Sequence, residues 1–269
     1  MRKLYTIGIL ILLSASLFAQ ETPAKKLKDV QLGSMLAPSP IKIDGKLNEW
    51  GNNFQAYNRS TRVLYTLSND DKNIYLIAKS TDFTTTAKII AGGITLIINT
   101  DGKKKEKDGY SITFPVIEHP ERLAGSLGGR FESRNAGADT ELMRAVHQRT
   151  IIAAKQIKVL GIKSITDTII SIYNEHGIKT AINFDGGDLT FEMAVPLKLL
   201  NLSPADGKEF AYNITLSGFQ MEGRSPGGGG GPPGGGGGSR GGGGRNALDF
   251  LDLVSPSYFW GKYTLAKKQ

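Results

Sequence analysis

Short runs in which apolar and polar residues alternate recur along most of the chain, and the first four fall into pairs. Residues 62–67 and 73–79 flank an acidic turn sequence at 69–71, and residues 94–98 and 110–116 form the second pair. A two-residue period bounded by Asn, Asp and Gly is typical of strands joined by turns. We therefore predict two antiparallel hairpins in the N-terminal half.

The same period predicts further strands in the C-terminal half. They span residues 169–173, 178–184, 189–195, 210–216 and 258–265. Many short strands with Gly and Asp at the bends favour two stacked antiparallel sheets over a parallel sheet with crossover helices. The predicted fold class is therefore all-β, an antiparallel β-sandwich of the jelly-roll or immunoglobulin-like kind.

One stretch, at roughly residues 140–154, departs from the two-residue period. Asp139 suits the N-cap position, and Glu141 suits the positive end of a helix dipole. Apolar residues recur there at or near helical spacing, namely Leu142, Val146, Ala153 and Ile157. We predict one inserted helix that covers an edge or a face of the sheets.

A glycine-rich tract at residues 226–245 is expected to be a disordered loop between two strands. Glycine has no side chain to bury and loses the most backbone entropy on ordering. A simple insertion is the favoured interpretation, because loop closure entropy grows slowly with length. The alternative is a flexible cationic arm for an anionic polymer, with Arg224, Arg240 and Arg245 as its contacts.

The N-terminus predicts a secretory signal peptide over residues 1–20. Arg2 and Lys3 precede an apolar run at 7–13 that is too short to span a bilayer, and small residues follow it. Residues 21–40 are interpreted as an N-terminal extension and 41–266 as a single domain. The expected location is a bacterial periplasm, the cell surface or the medium, with no transmembrane segment in the mature protein.

Composition and net charge limit the covalent links and the classes of partner that the chain can have. The sequence contains no cysteine, so neither a disulfide nor a lipid anchor on cysteine can form. The net charge of +8 includes Arg2 and Lys3, so the mature chain is nearer +6 (8 minus 2). A modestly basic exported protein suits a carbohydrate partner that carries acidic groups, whereas no nucleic acid partner is predicted. The oligomeric state is not indicated.

Five segments carry patterns that occur in the same order in a known family. The five are residues 41–50 with Ile43-Asp44-Gly45 before Glu49 and Trp50; 69–76 followed by Asp82; 97–102 with Asn99 in place of an Asp; 189–196 with a central Glu192; and 256–265 with Trp260 before Gly261. Together they resemble the family 9 carbohydrate-binding modules over residues 41–265. The resemblance implies a β-sandwich that binds carbohydrate without catalysis and without a cofactor.

The sugar clamp of that family is not carried over. Its sugar-binding members hold a terminal sugar between two exposed tryptophans, where this chain has residues 89–93 and 254–256 without tryptophan. The resemblance assigns Trp50 and Trp260 mainly to packing, so a core position is predicted for both. The aromatic residues proposed to contact a sugar are Trp260, Tyr258, Tyr57 and Phe83, with Arg224 as a hydrogen-bonding partner.

No catalytic residues are predicted. A cysteine nucleophile and a Gly-x-Ser-x-Gly motif are both absent, and the three histidines lack metal-ligand spacing. Calcium at Asp101 and Asp108 is an alternative that the lysines at 103–107 disfavour. Glu192 and Asp44 are expected to tie down backbone amides or a partner charge.

Two further function classes stay open at this point. A haem-binding module would use Met143 with His147, or Met193 with Met221, as axial ligands. A structural or interaction domain would bind no small ligand.

Overall fold

The structure is a computed structural model that describes residues 27–51, 53–120, 136–219 and 251–268. The expected signal peptide at 1–20, Arg224 and the glycine-rich tract at 226–245 lie outside these residues. Among the described residues, no helix is both long and apolar enough to cross a membrane.

The described residues form eleven strands in two antiparallel sheets; the alternating pattern predicts nine of these strands but not those at 56–58 and 156–160. The five-stranded sheet has the order β1 (Ala56–Asn58), β2 (Val63–Asn69), β3 (Asn73–Ser80), β9 (Asp188–Pro196) and β8 (Lys179–Asp185). The six-stranded sheet has the order β11 (Ser257–Thr264), β10 (Glu209–Leu216), β4 (Ile94–Asn99), β5 (Tyr110–Val116), β6 (Gln156–Leu160) and β7 (Ile169–Ser171). Both predicted hairpins, β2 with β3 and β4 with β5, are confirmed.

The main core fills the space between the sheets. Alternate residues of each strand point inward, so Tyr65, Leu76 and Phe191 of one sheet meet Phe114 and Tyr212 of the other with at most 1% of their surface exposed. Burial of this continuous apolar layer is the main force that holds the two sheets together.

A second, smaller core lies on the outer face of the five-stranded sheet. The chain at 37–54, which includes a 3-10 helix at Asn48–Trp50, packs Leu47 and Trp50 against Tyr75, Ile77 and Ala194. Trp50 is 4% exposed, so its predicted packing role is confirmed. Two further 3-10 helices span Leu197–Leu200 and Pro204–Asp206.

Two α-helices lie wholly within the described residues, and the sequence predicted one of them. That helix, α2 (Ala136–Ala153), begins earlier than expected, and Ile157 does not belong to it. Ile157 is instead a fully buried residue of β6, which pairs with β5. The other helix, α1 (Phe83–Gly92), was missed; the Asp82 side chain caps it by accepting a hydrogen bond from the Thr85 amide at 2.8 Å.

Candidate functional site

A groove of about 500 Å³ lies on the outer face of the six-stranded sheet. Outward-facing residues of β10, β4, β5 and β6 line it, and the end of α1 contributes Ala91 and Gly92 to its wall. The chain at 37–54 packs on the outer face of the other sheet, so the groove lies on the opposite side of the molecule from that segment.

Strand register aligns the floor of the groove into a row that runs across the sheet. Thr215, Thr95, Thr113 and Lys158 line the groove, and register extends this row to Tyr258 on the edge strand β11. Four spacings of about 4.8 Å make this row roughly 19 Å long. It therefore begins at an aromatic ring, continues over three hydroxyl groups and ends at an exposed ammonium group.

The three threonines present an ordered set of hydroxyl groups. The Oγ1 atoms of Thr95 and Thr113 lie 2.8 Å apart and share a hydrogen bond. The Thr215 hydroxyl donates to Asn213 Oδ1 at 2.5 Å, and the Asn213 amide donates to the Phe259 carbonyl at 3.0 Å. Because a hydroxyl has one proton and two lone pairs, each retains capacity for a further hydrogen bond with a ligand.

A second row lies beside the first. It consists of Trp260, Asn213, Ile97, Ser111 and Leu160. Tyr258 and Trp260 are two residues apart on β11, so their side chains are neighbours on one face of this edge strand. Tyr258 is 57% exposed and Trp260 is partly buried. The two rings form an aromatic rim along one side of the hydroxyl-lined floor.

The expected core position is not found for Trp260. On β11 the buried residues are Phe259, Gly261 and Tyr263, which alternate with Trp260, so the tryptophan faces away from the core. A strand of period two cannot place neighbouring residues on the same face. The aromatic run 258–260 contains no polar residue that would indicate from sequence which face is buried.

The structure brings together two of the residues proposed to contact a sugar, Tyr258 and Trp260. Tyr57 lies on β1, where its buried neighbours Ala56 and Asn58 place it on the outer face of the other sheet. Phe83 begins α1 and packs against the main core. Arg224 lies outside the described residues.

The hydroxyl row, which consists of Thr215, Thr95 and Thr113, was not predicted from the sequence. Thr95 lies inside an apolar run that reads as continuous, and Thr113 and Thr215 belong to separate strands. Only the cross-strand register brings them together, and register is set by turns and packing far along the chain. In each strand the threonine alternates with the residues that face the main core, and this alternation was the only indication that the sequence contained.

Glu192 has a structural role, as expected. Its carboxylate accepts hydrogen bonds from the amides of Asp44 at 2.9 Å and Gly45 at 2.7 Å, and from the Trp50 indole at 2.9 Å. Burial raises the pKa of Glu192, while these donors act in the opposite direction. Asp44 accepts from the Lys46 amide and pairs with Lys42, and the hydrogen bond from Lys42 holds the pKa of Asp44 below its usual value.

Three of the residues considered for a metal or haem make other contacts, and Met221 lies outside the described residues. Asp101 pairs with Lys103 at 3.5 Å, and across the described ranges no three His, Asp or Glu side chains are grouped to hold a metal ion. Met193 is fully buried in the main core. His147 stacks on Phe184 with ring centroids 3.8 Å apart, and burial lowers its pKa.

Two solved structures of family 9 carbohydrate-binding modules are similar to this chain, and this is the family that the sequence motifs resemble. Both come from Caldicellulosiruptor kristjanssonii, one in complex with glucose and one with cellotriose. The first is 9% identical to this chain and the second 8%. Each match covers 88% of this chain at a TM-score of 0.39, together with 96% of the first structure's chain and 94% of the second's. Because this similarity is low, the assignment of a β-sandwich fold rests on the strand order and strand pairing of this chain. No protein-family model matches the chain, and no curated protein matches its sequence.

Proposed function

We propose that this protein is an exported, non-catalytic carbohydrate-binding protein that holds a glycan in the groove on the outer face of its six-stranded sheet. The observation that carries the proposal is the aromatic rim of Tyr258 and Trp260 beside the hydroxyl row of Thr215, Thr95 and Thr113. The sequence resemblance over residues 41–265 supports the same role, and the basic and apolar N-terminal residues support export.

The chemistry of the groove suits a sugar. One face of a pyranose ring presents C–H groups that pack on the negative face of an aromatic ring, as at Tyr258 or Trp260. The edge of the sugar carries hydroxyls, which exchange hydrogen bonds with threonine hydroxyls of the floor. An aromatic surface with a few convergent polar groups is the usual composition of a small-molecule site.

The length of the groove favours an oligosaccharide over a single sugar. The row from Tyr258 to Lys158 is roughly 19 Å long, which is several times the width of one ring. A sugar stacked at the aromatic rim would leave Thr95 and Thr113 for the next units of the chain. Lys158 at the far end suits an acidic substituent, and Glu106 also lines the groove.

The test is binding of the purified protein to a panel of immobilised neutral and acidic glycans. We expect binding by the native protein and its loss in Trp260→Ala and Tyr258→Ala. Tyr57→Ala, an aromatic change on the outer face of the other sheet, is the matched control and should bind normally. A silent panel, or equal binding by all three variants, would count against the proposal. Release of reducing sugar from any bound glycan would contradict the non-catalytic part.

A further inference from the structure

Lys88 of α1 carries an ammonium group that is almost completely buried. Its side chain is 2% exposed, and its Nζ lies 3.3 Å from Asp252 Oδ1 and 3.2 Å from Ser257 Oγ. A buried charge is tolerated when it is paired and hydrogen-bonded, so both partners are required at this position. Ser257 begins β11 and directly precedes Tyr258 of the aromatic rim.

Arg62 completes the same network from the turn that precedes β2. Its guanidinium contacts the second carboxylate oxygen of Asp252, and its Nε donates to Thr85 Oγ1 at 3.2 Å. Nε also lies 3.5 Å from Asp82, the residue that caps α1. Asp252 therefore connects three parts of the molecule, namely the turn before β2, helix α1 and the segment that leads into β11.

Close backbone packing holds the same parts together. A Cβ atom at Gly92 would lie 2.5 Å from the Gly218 carbonyl oxygen, and one at Gly218 would lie 2.3 Å from the Leu253 carbonyl oxygen. The Phe219 amide donates to that Leu253 carbonyl at 3.1 Å. Since Gly92 and Ser217 line the groove, the helix that bears Lys88 also forms part of the groove wall.

We propose that Lys88, Arg62 and Asp252 are positioning residues of the groove, which fix the start of β11, and with it Tyr258 and Trp260, relative to the wall formed by α1. The inference rests on the proposed function of the groove. Tyr258 is more than half exposed, and its place depends on the backbone that carries it. The network holds this segment through the Ser257 hydroxyl and, five residues earlier, through the Asp252 carboxylate.

The first test measures amide hydrogen exchange of the folded protein and needs no glycan. In Lys88→Met, which keeps most of the length of the side chain but not its charge, we expect the amides of residues 257–260 to exchange at least about fivefold faster, while those of β3 and β9 are unchanged. Lys79→Met is the matched control, because Lys79 pairs with Asp188 at 2.9 Å on the five-stranded sheet. Should Lys88→Met not fold, Arg62→Met, at a side chain 38% exposed, replaces it.

The second test measures affinity for a glycan that binds the native protein. Lys88→Met and Asp252→Asn should each weaken binding roughly fivefold to tenfold, and the double variant should lose less than the product of the two, because the residues act as one unit. Arg62→Lys should restore most of the affinity lost in Arg62→Met. A purely structural role would lower the midpoint of unfolding and leave the affinity of the folded protein intact.

The outcomes separate the two proposals. Unchanged exchange at 257–260 in the folded Lys88 or Arg62 variant would overturn the positioning role, whether or not a glycan binds. Faster exchange together with the absence of any glycan ligand would overturn the proposed function and leave the anchoring of β11 established.

Discussion

Gly261 lies directly opposite Tyr212 in the pairing of β10 with β11, and the tyrosine ring occupies the space that a side chain at 261 would need. A Cβ atom at this glycine would lie 2.3 Å from Tyr212 Cζ. The Tyr212 hydroxyl meets the Tyr65 hydroxyl of the other sheet at 2.9 Å, and Tyr65 accepts from the Gln31 amide at 2.9 Å. The Trp-Gly pair in β11 thus has two functions: the glycine admits an inter-sheet contact, and the tryptophan faces the groove.

We expect Gly261→Ala to destabilise the protein, because the added methyl group overlaps the Tyr212 ring. Overpacking of this kind costs about 1–3 kcal/mol in the free energy of unfolding. Denaturant titration measures the change. Gly33→Ala is the control, since a Cβ atom there would meet nothing within 4 Å. Equal stability of both variants would show that Tyr212 moves aside freely.

Tyr212→Phe should remove the hydrogen bond between the sheets and little else. The loss of one buried hydrogen bond that leaves Tyr65 with its Gln31 contact costs about 1 kcal/mol. The measurement compares the midpoint of denaturant unfolding of Tyr212→Phe with that of Phe210→Leu in the same strand. Phe210→Leu should lose more stability because it removes apolar volume. A larger loss in Tyr212→Phe would contradict this ranking.

Glu192→Gln should destabilise by about 2–4 kcal/mol, because an amide nitrogen then faces donors that need an acceptor. The expected consequence is loosening of residues 44–50, detected as higher exposure of Trp50 by its fluorescence. Glu209→Gln, at an exposed carboxylate paired with Lys262, is the matched control and should have little effect. An unchanged tryptophan spectrum in a folded Glu192→Gln protein would contradict the anchoring role.

Alkaline pH should lower the stability of the protein, in part through Tyr263. Burial raises the pKa of Tyr263 to about 12 in the folded state, while the unfolded value is 10.0. A raised folded pKa means that this contribution is fully present below pH 10 and is lost as the pH rises towards 12. Over that range the free energy of unfolding should fall by about 2 kcal/mol from this residue. Tyr263→Phe should fall less steeply with pH, and an identical slope would exclude Tyr263 as the cause.

The proposed export predicts where the chain begins in the producing cell. The mature protein should begin near Gln20 or Glu21, outside the cytoplasm. N-terminal sequencing or intact mass of protein recovered from separate cell fractions measures this. A full-length cytoplasmic product with Met1 would contradict it.

Most strands could be predicted from the sequence because apolar and polar residues alternate locally, as in β2, where Tyr65 and Leu67 face the main core and alternate with Thr66 and Ser68. Helix α1 was missed because its first turn carries Thr84, Thr85 and Thr86, and β-branched residues weaken helix propensity. The Asp82 cap and the burial of Ile89 and Ile90 stabilise the helix in spite of this. Ile157 was counted in the helical spacing because it lies four residues after Ala153, but the helix ends at Ala153 and Ile157 belongs to β6.

The site was less predictable than the fold. Tyr258 and Trp260 could be proposed because exposed aromatic residues suit sugars, but their common face follows from the burial of Phe259 and Gly261 between them. The hydroxyl row joins residues of different strands. The contact of Lys88 with Asp252 joins residues that are 164 positions apart in the sequence. Such contacts depend on register and on tertiary packing, which local patterns do not encode.

Mapping a bound oligosaccharide by nuclear magnetic resonance tests most directly whether a glycan lies in the groove across the six-stranded sheet. On titration with an oligosaccharide that binds, the largest shifts should fall on Thr95, Thr113, Thr215 and the Trp260 indole. Residues on the opposite outer surface, such as Tyr57 and Asn183, should not move. Shifts centred on that opposite surface, with the threonine row unaffected, would contradict the account.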